Sequence, residues 1–515
     1  MTMQPSSRRQ FLRDLGAGAL AVGGAGYASA MSPADSLFGC RWINGEPLDF
    51  GKLEPLAAWM QDTDADQMVA GAIKKLGEGT ELKTLVAAGA LANARTFGGE
   101  DYIGFHCAMA LLPAYQMSAQ MPKGKEALPV LKVLHRNTTR IRIRGGRRDE
   151  VMRQLPEQEV IAKHAKSLLE VARSLDLDAA ERVLDEKITA SIPDAYEALQ
   201  PLMRDNIDVH QVVLTWRSFD LLQLTGQQHA QTMLRQCVRH YIDRDSDRVK
   251  KGRAAQSLRR ALPRLLDEHK LHGKTPGKRT DDGTFAEELA GVIMRSGRDE
   301  AANAAANALA DGFSIDVVGE ALSRAGVRLL LGDPGMKSAQ PGKPKGSVHG
   351  ASVGVHACDS AQAWRNISRV CGPANAIASL IAGAWHTGGQ LYASSETPVH
   401  LAATDEVARI AASELPAALR EAVAKRDQKR AAAIGARWQS AGHPASLAFD
   451  AVIEDMSQCD GALHHEKFFR TCCEGHAQSP EVFRADWLAG VARVAASGHG
   501  FEAPGYAAAV ERLGV

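Results

Sequence analysis

The chain has 515 residues and a formal net charge of +1, with 45% hydrophobic and 23% charged residues. This length suits two to four ordinary domains or one large helical body. A balanced charge with no basic face argues against a nucleic-acid-binding protein. Aromatic residues make up only 5% of the chain, and its many Ala and Gly residues favour close helix packing over a β-sandwich core.

The N-terminus resembles a twin-arginine export signal. The run Ser7-Arg-Arg-Gln-Phe-Leu-Arg13 precedes a weakly apolar Gly/Ala stretch and Ala28-Ser-Ala30, a small-residue cleavage site. We therefore expect residues 1–30 to be a signal peptide that the twin-arginine translocase recognises, and the mature protein to be periplasmic or extracellular. A basic arm followed by a short helix is the alternative. No other stretch approaches the roughly 20 apolar residues that span a bilayer, so we expect no stable membrane span.

Apolar residues recur mainly at helical spacing, and no period of 20–50 residues repeats. We predict an all-α protein of about fifteen helices in two packed halves. The N-terminal half covers residues 31–244, a charged linker or helix covers 245–282, and the C-terminal half covers 283–515. One helix is predicted from Glu406 to Ala441. Only Ile141-Arg-Ile-Arg144 alternates like a strand, which indicates a short edge strand or a basic loop.

The run from Gly346 to Ser360 carries the strongest candidates for chemistry. His349 and His356 lie seven residues apart in it, a spacing that places both on one face of a helix. Two turns is a long separation for two ligands of one ion. We therefore expect His356 to lie within a helix and His349 to approach from the preceding loop.

Other histidines have similar surroundings. His106 lies in an apolar helical segment, and His386 follows a Trp. A predicted helix hairpin around Gly226 would bring His210 and His229 together. A lone His in such a setting is commonly a hydrogen-bonded core residue, but several are hard to satisfy individually, and one divalent transition metal satisfies several at once. The candidate ligands are His106, His210, His229, His349, His356 and His386.

Three further residues are predicted to serve the reaction. Arg217 lies seven residues after His210, so it shares a helix face with it and would pair with an anionic substrate group. Trp364 would line the substrate pocket with Arg217. Asp359, like Asp208, would fix a His tautomer, or would act as a base.

Known motifs are mostly missing. The eight Cys residues form no CxxC pair and no CxxCH, so a zinc ribbon is unsupported and covalent c-type haem is excluded. Cys459 with Cys472 or Cys473 is a candidate local disulfide. The sequence has no HExxH or P-loop motif.

Several short elements resemble those of an exported, largely helical family of uncharacterised proteins. The resemblance is scattered over residues 80–390, and the family has a further His where this chain has Tyr115. Paired histidines in an all-helical chain are also similar to questin-oxidase-type ring-opening oxygenases. The elements are Gly104-Phe-His106, Val209-His210, Thr215-Trp-Arg217, Gln228-His229-Ala230 and Val348-His349.

Together these patterns predict an exported metal-dependent enzyme acting on a small-molecule substrate. We expect an oxidoreductase or oxygenase in which three or four His hold non-haem iron or copper, and an open position takes dioxygen or the substrate. A zinc-dependent hydrolase or lyase is the alternative, in which the ion lowers the pKa of bound water to about 7. A non-enzymatic haem or metal carrier is a third class. The sequence predicts neither the substrate nor an oligomeric state.

Overall fold

The computed structural model describes residues 45–155, 167–340, 343–348 and 352–515. Within these ranges the regular structure is helical, with isolated bridge contacts but no sheet. The predicted signal peptide and His349 lie outside the described residues. Among the helices of the described ranges, none is both long enough and apolar enough to cross a membrane.

The all-α prediction is confirmed, although the described residues form 23 α-helices of five or more residues rather than about fifteen. Those of the first half are α1 Glu54–Asp62, α2 Ala65–Gly77, α3 Leu82–Phe97, α4 Tyr102–Ser118, α5 Leu128–Ile143, α6 Leu168–Arg173, α7 Leu177–Ala190, α8 Ile192–Asp205, α9 Val209–Asp220, α10 Ala230–Lys250 and α11 Leu258–Glu268. Those of the second half are α12 Thr284–Arg295, α13 Arg298–Ala310, α14 Ile315–Gly332, α15 Val353–Val370, α16 Pro373–Thr387, α17 Thr404–Ala408, α18 Leu415–Ala424, α19 Gln428–Arg437, α20 Ala445–Gln458, α21 His464–Gln478, α22 Arg484–Gly498 and α23 Pro504–Leu513.

Two segments differ from the sequence prediction. Residues 141–144 are neither a strand nor a basic loop but the last turn of α5, which ends at Ile143, and its C-cap, Arg144. Ile141 is buried there because it continues the apolar face of that helix, and Gly145 follows in a left-handed conformation, with φ 101°. The predicted helix from Glu406 to Ala441 is three shorter helices, α17 to α19, and Arg426 at φ 58° separates the last two.

The largest hydrophobic core joins the two ends of the chain. Helices α1 to α5 pack against α18 to α23, and Met60, Leu85 and Trp438 are fully buried in this core. A second core encloses α9 and α11 to α16, and a third encloses α6 to α8 and α10. Helices from both sides of residues 245–282 therefore share one interior.

Residues 245–282 begin inside α10 and continue into α11. Asp245 and Asp247 are buried. Arg248 and Arg259 pair with Asp245, at 2.6 and 3.1 Å. Several charges of this region thus hold helices together instead of facing solvent.

Four helices form a closed ring that positions the candidate site. Helix α4 contacts α9, α9 contacts α15, α15 contacts α21, and α21 contacts α4. Each of these helices carries a histidine within its first five residues. The ring therefore brings four imidazoles together from positions far apart in the chain.

Candidate metal centre

The four-histidine cluster consists of His106 on α4, His210 on α9, His356 on α15 and His464 on α21. The ring centroids of His106 and His210 are 4.8 Å apart, and those of His210 and His356 are 5.6 Å apart. His464 closes the cluster, with its centroid 5.0 Å from both His356 and His106. Three of the six predicted ligands are thus brought together with a fourth histidine that the sequence did not single out.

Hydrogen bonds at Nδ1 orient three of these rings. The Nδ1 of His106 lies 2.6 Å from the Tyr102 carbonyl oxygen, and that of His464 lies 3.1 Å from the Gly461 carbonyl oxygen. The Nδ1 of His210 lies 2.8 Å from Asp208 Oδ1. Because carbonyl and carboxylate oxygens only accept hydrogen bonds, Nδ1 carries the proton in each ring and Nε2 keeps its lone pair.

Two of the four Nε2 atoms, those of His106 and His210, are buried without a hydrogen-bond partner among the described residues. His356 Nε2 and His464 Nε2 are 3.1 Å apart. The His356 imidazole forms a hydrogen bond with the backbone of Ser352, four residues earlier in the chain. If Nδ1 makes that bond, two lone pairs face each other across 3.1 Å, an arrangement that only a proton or a cation relieves.

Burial keeps the imidazoles of His106, His356 and His464 neutral. It lowers the pKa of His356 to about 3. Burial also lowers the pKa values of His106 and His464 well below the usual range, and the positive charge of Lys467 lowers both further. Neutral imidazole is the form that binds a metal ion.

Asp208 holds His210 in two ways. Its Oδ1 accepts a hydrogen bond from the His210 backbone N–H at 2.7 Å, which caps α9, and also accepts from Nδ1 of the same residue. Burial opposes ionisation, but the charge of His210 and its hydrogen bond hold the pKa of Asp208 well below its ordinary value. A carboxylate behind a ligand histidine is the usual outer partner of a metal site.

An unusual turn positions His464. Gly461, Ala462 and Leu463 all have positive φ, at 39°, 51° and 61°. Left-handed backbone costs a non-glycine residue about 1–2 kcal/mol, so two of these three residues are strained. The turn presents the Gly461 carbonyl to His464 Nδ1, and backbone strain of this kind is often stored at functional sites.

A small polar cavity lies one helical turn inside the cluster. It has a volume of about 10 Å³, enough for roughly one water molecule. Asp359, Lys467, Arg217 and Glu474 contribute to its lining. Burial raises the pKa of Asp359 to about 6 and lowers that of Lys467 to about 8, although the two opposite charges counter both shifts.

Arg217 does not point at an empty substrate site. Its Nη1 lies 3.0 Å from Asp220 Oδ2 and 3.2 Å from Glu474 Oε1. With two carboxylates already paired to this one guanidinium, an anionic substrate has little charge left to bind. Two buried atoms of residues that line the cavity, Arg217 Nε and Asp359 Oδ1, have no hydrogen-bond partner among the described residues.

Three predicted site residues lie away from the four-histidine cluster and have other partners. His229 lies in a 3-10 turn before α10 and packs edge-on against Phe50, with ring centroids 5.6 Å apart. Trp364 is fully buried, and its Nε1 donates to His386 Nδ1 at 3.3 Å. His386 and Trp364 thus satisfy each other in the core between α15 and α16.

The sequence interpretation missed His464, Lys467 and Tyr102. His464 and Lys467 lie one turn apart at the start of α21, so both face the ring of helices. Tyr102 is 57% exposed, and its ring centroid is 4.5 Å from His106 and 5.4 Å from His210. The adjacent pair His464-His465 was the one signal in the sequence that pointed to α21.

The cluster is a group of neighbouring imidazoles that does not have the geometry of a metal site in this structure. Among the described residues, no group of three or more His, Cys, Asp or Glu side chains is placed so that it could hold a metal ion. The seven cysteines of the described ranges are free thiols, so the candidate disulfide at Cys459 is not formed in this structure.

Comparison with protein-family models, curated proteins and solved structures finds no match to this chain. Any assignment of function therefore depends on the geometry of the four-histidine cluster and its surroundings.

Proposed function

We propose that this chain is an exported metal-dependent enzyme, an oxidoreductase whose non-haem iron or copper ion is held by the four-histidine cluster. The observation that carries the proposal is the convergence of four imidazoles, two buried and two partly exposed, three of which have Nδ1 committed to an acceptor. Their Nε2 lone pairs need a partner, and two of them have none among the described residues.

The measured separation suits a shared ion. At metal–nitrogen distances of about 2.0–2.1 Å, two ligands lie about 3.3 Å apart at tetrahedral angles and about 2.9 Å apart at right angles. The 3.1 Å between His356 Nε2 and His464 Nε2 falls between these values.

The number of ligands favours a redox metal over a catalytic zinc. Catalytic zinc sites keep three protein ligands and one open position, whereas four ligands close a tetrahedral zinc site. Iron and copper accept imidazole and take five or six ligands, which leaves positions for dioxygen or a substrate. The bound ion would supply one-electron chemistry.

The protein would supply access and protons. Tyr102 and the partly exposed rim at His210 and His356 lie on the solvent side of the cluster. Asp359 and Lys467 lie on the inner side, where the small cavity places them one turn from ligand histidines. A substrate would approach past Tyr102, and Asp359 would exchange protons with the reacting group through a water in the cavity.

A zinc-dependent hydrolase or lyase remains the second candidate. Asp359 favours it, because a buried carboxyl with a pKa of about 6 suits a general base near neutral pH. The haem-carrier alternative has less support, since facing Nε2 atoms 3.1 Å apart leave no room for a porphyrin between them.

Metal loading with a spectroscopic readout tests the proposal. Metal-free protein would be titrated separately with Fe(II), Cu(I) and Zn(II) without oxygen, and each loaded protein would then be mixed with dioxygen. We expect one iron or copper ion per chain and reoxidation that His464→Ala abolishes. Stable binding of zinc alone, with no oxygen consumption, would favour the second candidate.

We propose that the protein is exported because residues Ser7 to Arg13 resemble a twin-arginine signal. Replacing Arg8 and Arg9 together by Lys is expected to keep the precursor in the cytoplasm, which cell fractionation would show. Normal export of this variant would remove the twin-arginine assignment and leave the metal proposal untouched.

A further inference from the structure

The inner side of the four-histidine cluster carries a carboxyl group with room for a proton. Asp359 lies on α15 three residues after His356, about 4.5 Å further along the helix axis. Asp359 is 5% exposed, and its Oδ1 is buried without a hydrogen-bond partner among the described residues. The cavity that it lines has room for roughly one water molecule, which can deliver a proton to that oxygen. Trp216 of the same lining is partly exposed, so the cavity lies close to the surface.

The groups that face Asp359 leave its carboxyl close to the point of protonation. Lys467 and Arg217 bring positive charge from α21 and α9, and Glu474 brings negative charge from α21. The side chain of Thr471 hydrogen-bonds to the carboxylate. Burial outweighs the groups that favour ionisation and raises the pKa of Asp359 to about 6. A modest change in nearby charge therefore decides whether this carboxyl is ionised.

Other titratable groups on α15 and its neighbours are held in one state. Burial raises the pKa values of the Cys358 and Cys472 thiols well above the ordinary value, so both keep their protons. Glu320 of α14 pairs with Arg365 at 2.7 Å. Burial lowers the pKa of His386 on α16 to about 3. These groups therefore keep their charge states near neutral pH.

An ion in the cluster would change its charge by one unit whenever it takes or gives an electron. Imidazole is a neutral ligand, and buried charges are weakly screened, so the change acts on ionisable groups nearby. The oxidised ion favours the ionised carboxylate. The reduced ion has one positive charge fewer and favours the carboxyl that holds a proton.

We propose that Asp359 takes up a proton when the metal centre is reduced and releases it when the centre is reoxidised. This inference rests on the proposed function and deepens it, because it names the group that couples electron transfer to proton transfer. In the reducing step the ion gains one electron, and Asp359 Oδ1 gains one proton from solvent by way of the cavity. In the oxidising step dioxygen takes the electron, and the O–H bond of Asp359 breaks to give its proton to the reduced oxygen. The net charge of the site is the same before and after each step.

The midpoint potential of the loaded protein, measured against pH, tests the proposal without knowledge of the substrate. Protein carrying iron or copper, whichever ion the cluster retains, would be titrated between pH 4.5 and pH 8.5. We expect the reduced state to bind the proton at least about tenfold more tightly than the oxidised state. The potential should then be about 59 mV or more lower at the high pH than at the low pH, the value for a tenfold change with one electron.

A pair of variants identifies the group responsible. Asp359→Asn should bind the ion in the same stoichiometry but lose most of this pH-dependent change. Asp245→Asn removes the same charge from a side chain that is 2% exposed on α10, where it pairs with Arg248, and should keep the wild-type change. Reduced-minus-oxidised infrared spectra should show the C=O band of a protonated carboxyl in the wild type, and Asp359→Asn should lack that band.

Each contrary result has a distinct meaning. A bound ion whose potential is independent of pH, or a wild type without the carboxyl band, would overturn the proton inference and leave the metal centre standing. The same pH-dependent change and the same band in Asp359→Asn would overturn the assignment to Asp359. If Asp359→Asn does not fold, the potential and the infrared band of the wild type decide alone. A wild-type protein that binds zinc alone, or no metal, would overturn the proposed function and this inference together.

Discussion

Asp208 combines two tasks at the scale of a single residue. Its carboxylate caps α9 and also accepts the Nδ1 proton of His210. The first task stabilises the helix, and the second turns the imidazole so that Nε2 faces the other rings. The two tasks can be separated, because Asn caps helices as well as Asp does but does not carry the negative charge.

We predict that Asp208→Asn lowers metal affinity about 10- to 100-fold while the protein stays folded. The loss follows from a weaker hold on the His210 tautomer, and a competition titration with a chelator would measure it. Asp176→Asn is the matched control, since Asp176 caps α7 through Ala179 N–H at 3.1 Å and contacts none of the four histidines. Equal affinity in the wild type and Asp208→Asn would show that this carboxylate does not support a ligand.

Three of the four histidines of the cluster could be predicted from the sequence. His106, His210 and His356 could be selected because each lies in an apolar or small-residue context that disfavours an unsatisfied imidazole. His464 could not be joined to them, since its partner His106 is 358 positions earlier and no local pattern records that contact. His229 was included on the assumption of a helix hairpin, but the 3-10 turn at 227–229 directs it to Phe50.

At the scale of the element, the turn before α21 is the clearest source of strain. Ala462 has a φ of 51°, a left-handed conformation that is unfavourable for a residue with a Cβ atom. Glycine has no Cβ and adopts it readily. The surrounding core holds the turn in place, as Leu463 beside it is fully buried.

We predict that Ala462→Gly raises the free energy of unfolding by about 1 kcal/mol, because the relief of left-handed strain exceeds the added entropy of the unfolded chain. Ala304→Gly provides the control. Ala304 is also half-buried but lies inside α13, where glycine should cost about 1 kcal/mol. Urea unfolding of both variants would give opposite signs, and destabilisation by both would mean that the turn is unstrained.

Helical periodicity predicted the class of fold and most helix positions, but it did not predict helix ends. The alternation of apolar and basic residues at 141–144 is too short to distinguish a strand from the end of a helix. Ile141 is buried on the apolar face of α5, so this segment continues the helix. The break between α18 and α19 depends on one left-handed residue, Arg426, whose conformation no propensity indicates. The sequence analysis joined short helices of this kind into longer ones, and it therefore predicted about fifteen helices where the described residues form 23.

At the scale of the whole molecule, buried neutral histidines make stability depend on pH. Burial, reinforced by Arg298, lowers the pKa of His386 to about 3 from its ordinary 6.5. Below pH 6.5 the unfolded chain binds a proton that the folded chain excludes, so stability present above that pH is lost as the pH falls towards 3.

We predict that metal-free wild-type protein loses more stability between pH 7.5 and pH 6 than metal-free His386→Gln does. The difference should be about 0.8 kcal/mol, the cost of excluding one proton from a group with an unfolded pKa of 6.5. Denaturant titrations at the two pH values would measure it. The same loss in both proteins would show that His386 is protonated in the folded state.

The ring formed by α4, α9, α15 and α21 ties the chain together across its whole length. An ion bound by one histidine from each helix would join segments that begin at Tyr102 and end at Gln478. Metal binding would then stabilise the folded state as a whole, by an amount set by ion concentration and affinity.

The measurement that tests the central claim most directly is the metal content of purified wild-type protein beside two histidine variants. We predict about one transition-metal ion per chain in the wild type, and less than about a tenth of that in His464→Ala, since removing a ligand destroys a four-imidazole site. His240→Gln should keep the wild-type content, because His240 is an equally buried histidine whose Nδ1 bonds the Gly99 carbonyl at 3.0 Å, outside the cluster. Equal metal content in all three proteins, or no metal in the wild type after loading, would contradict the four-histidine metal centre.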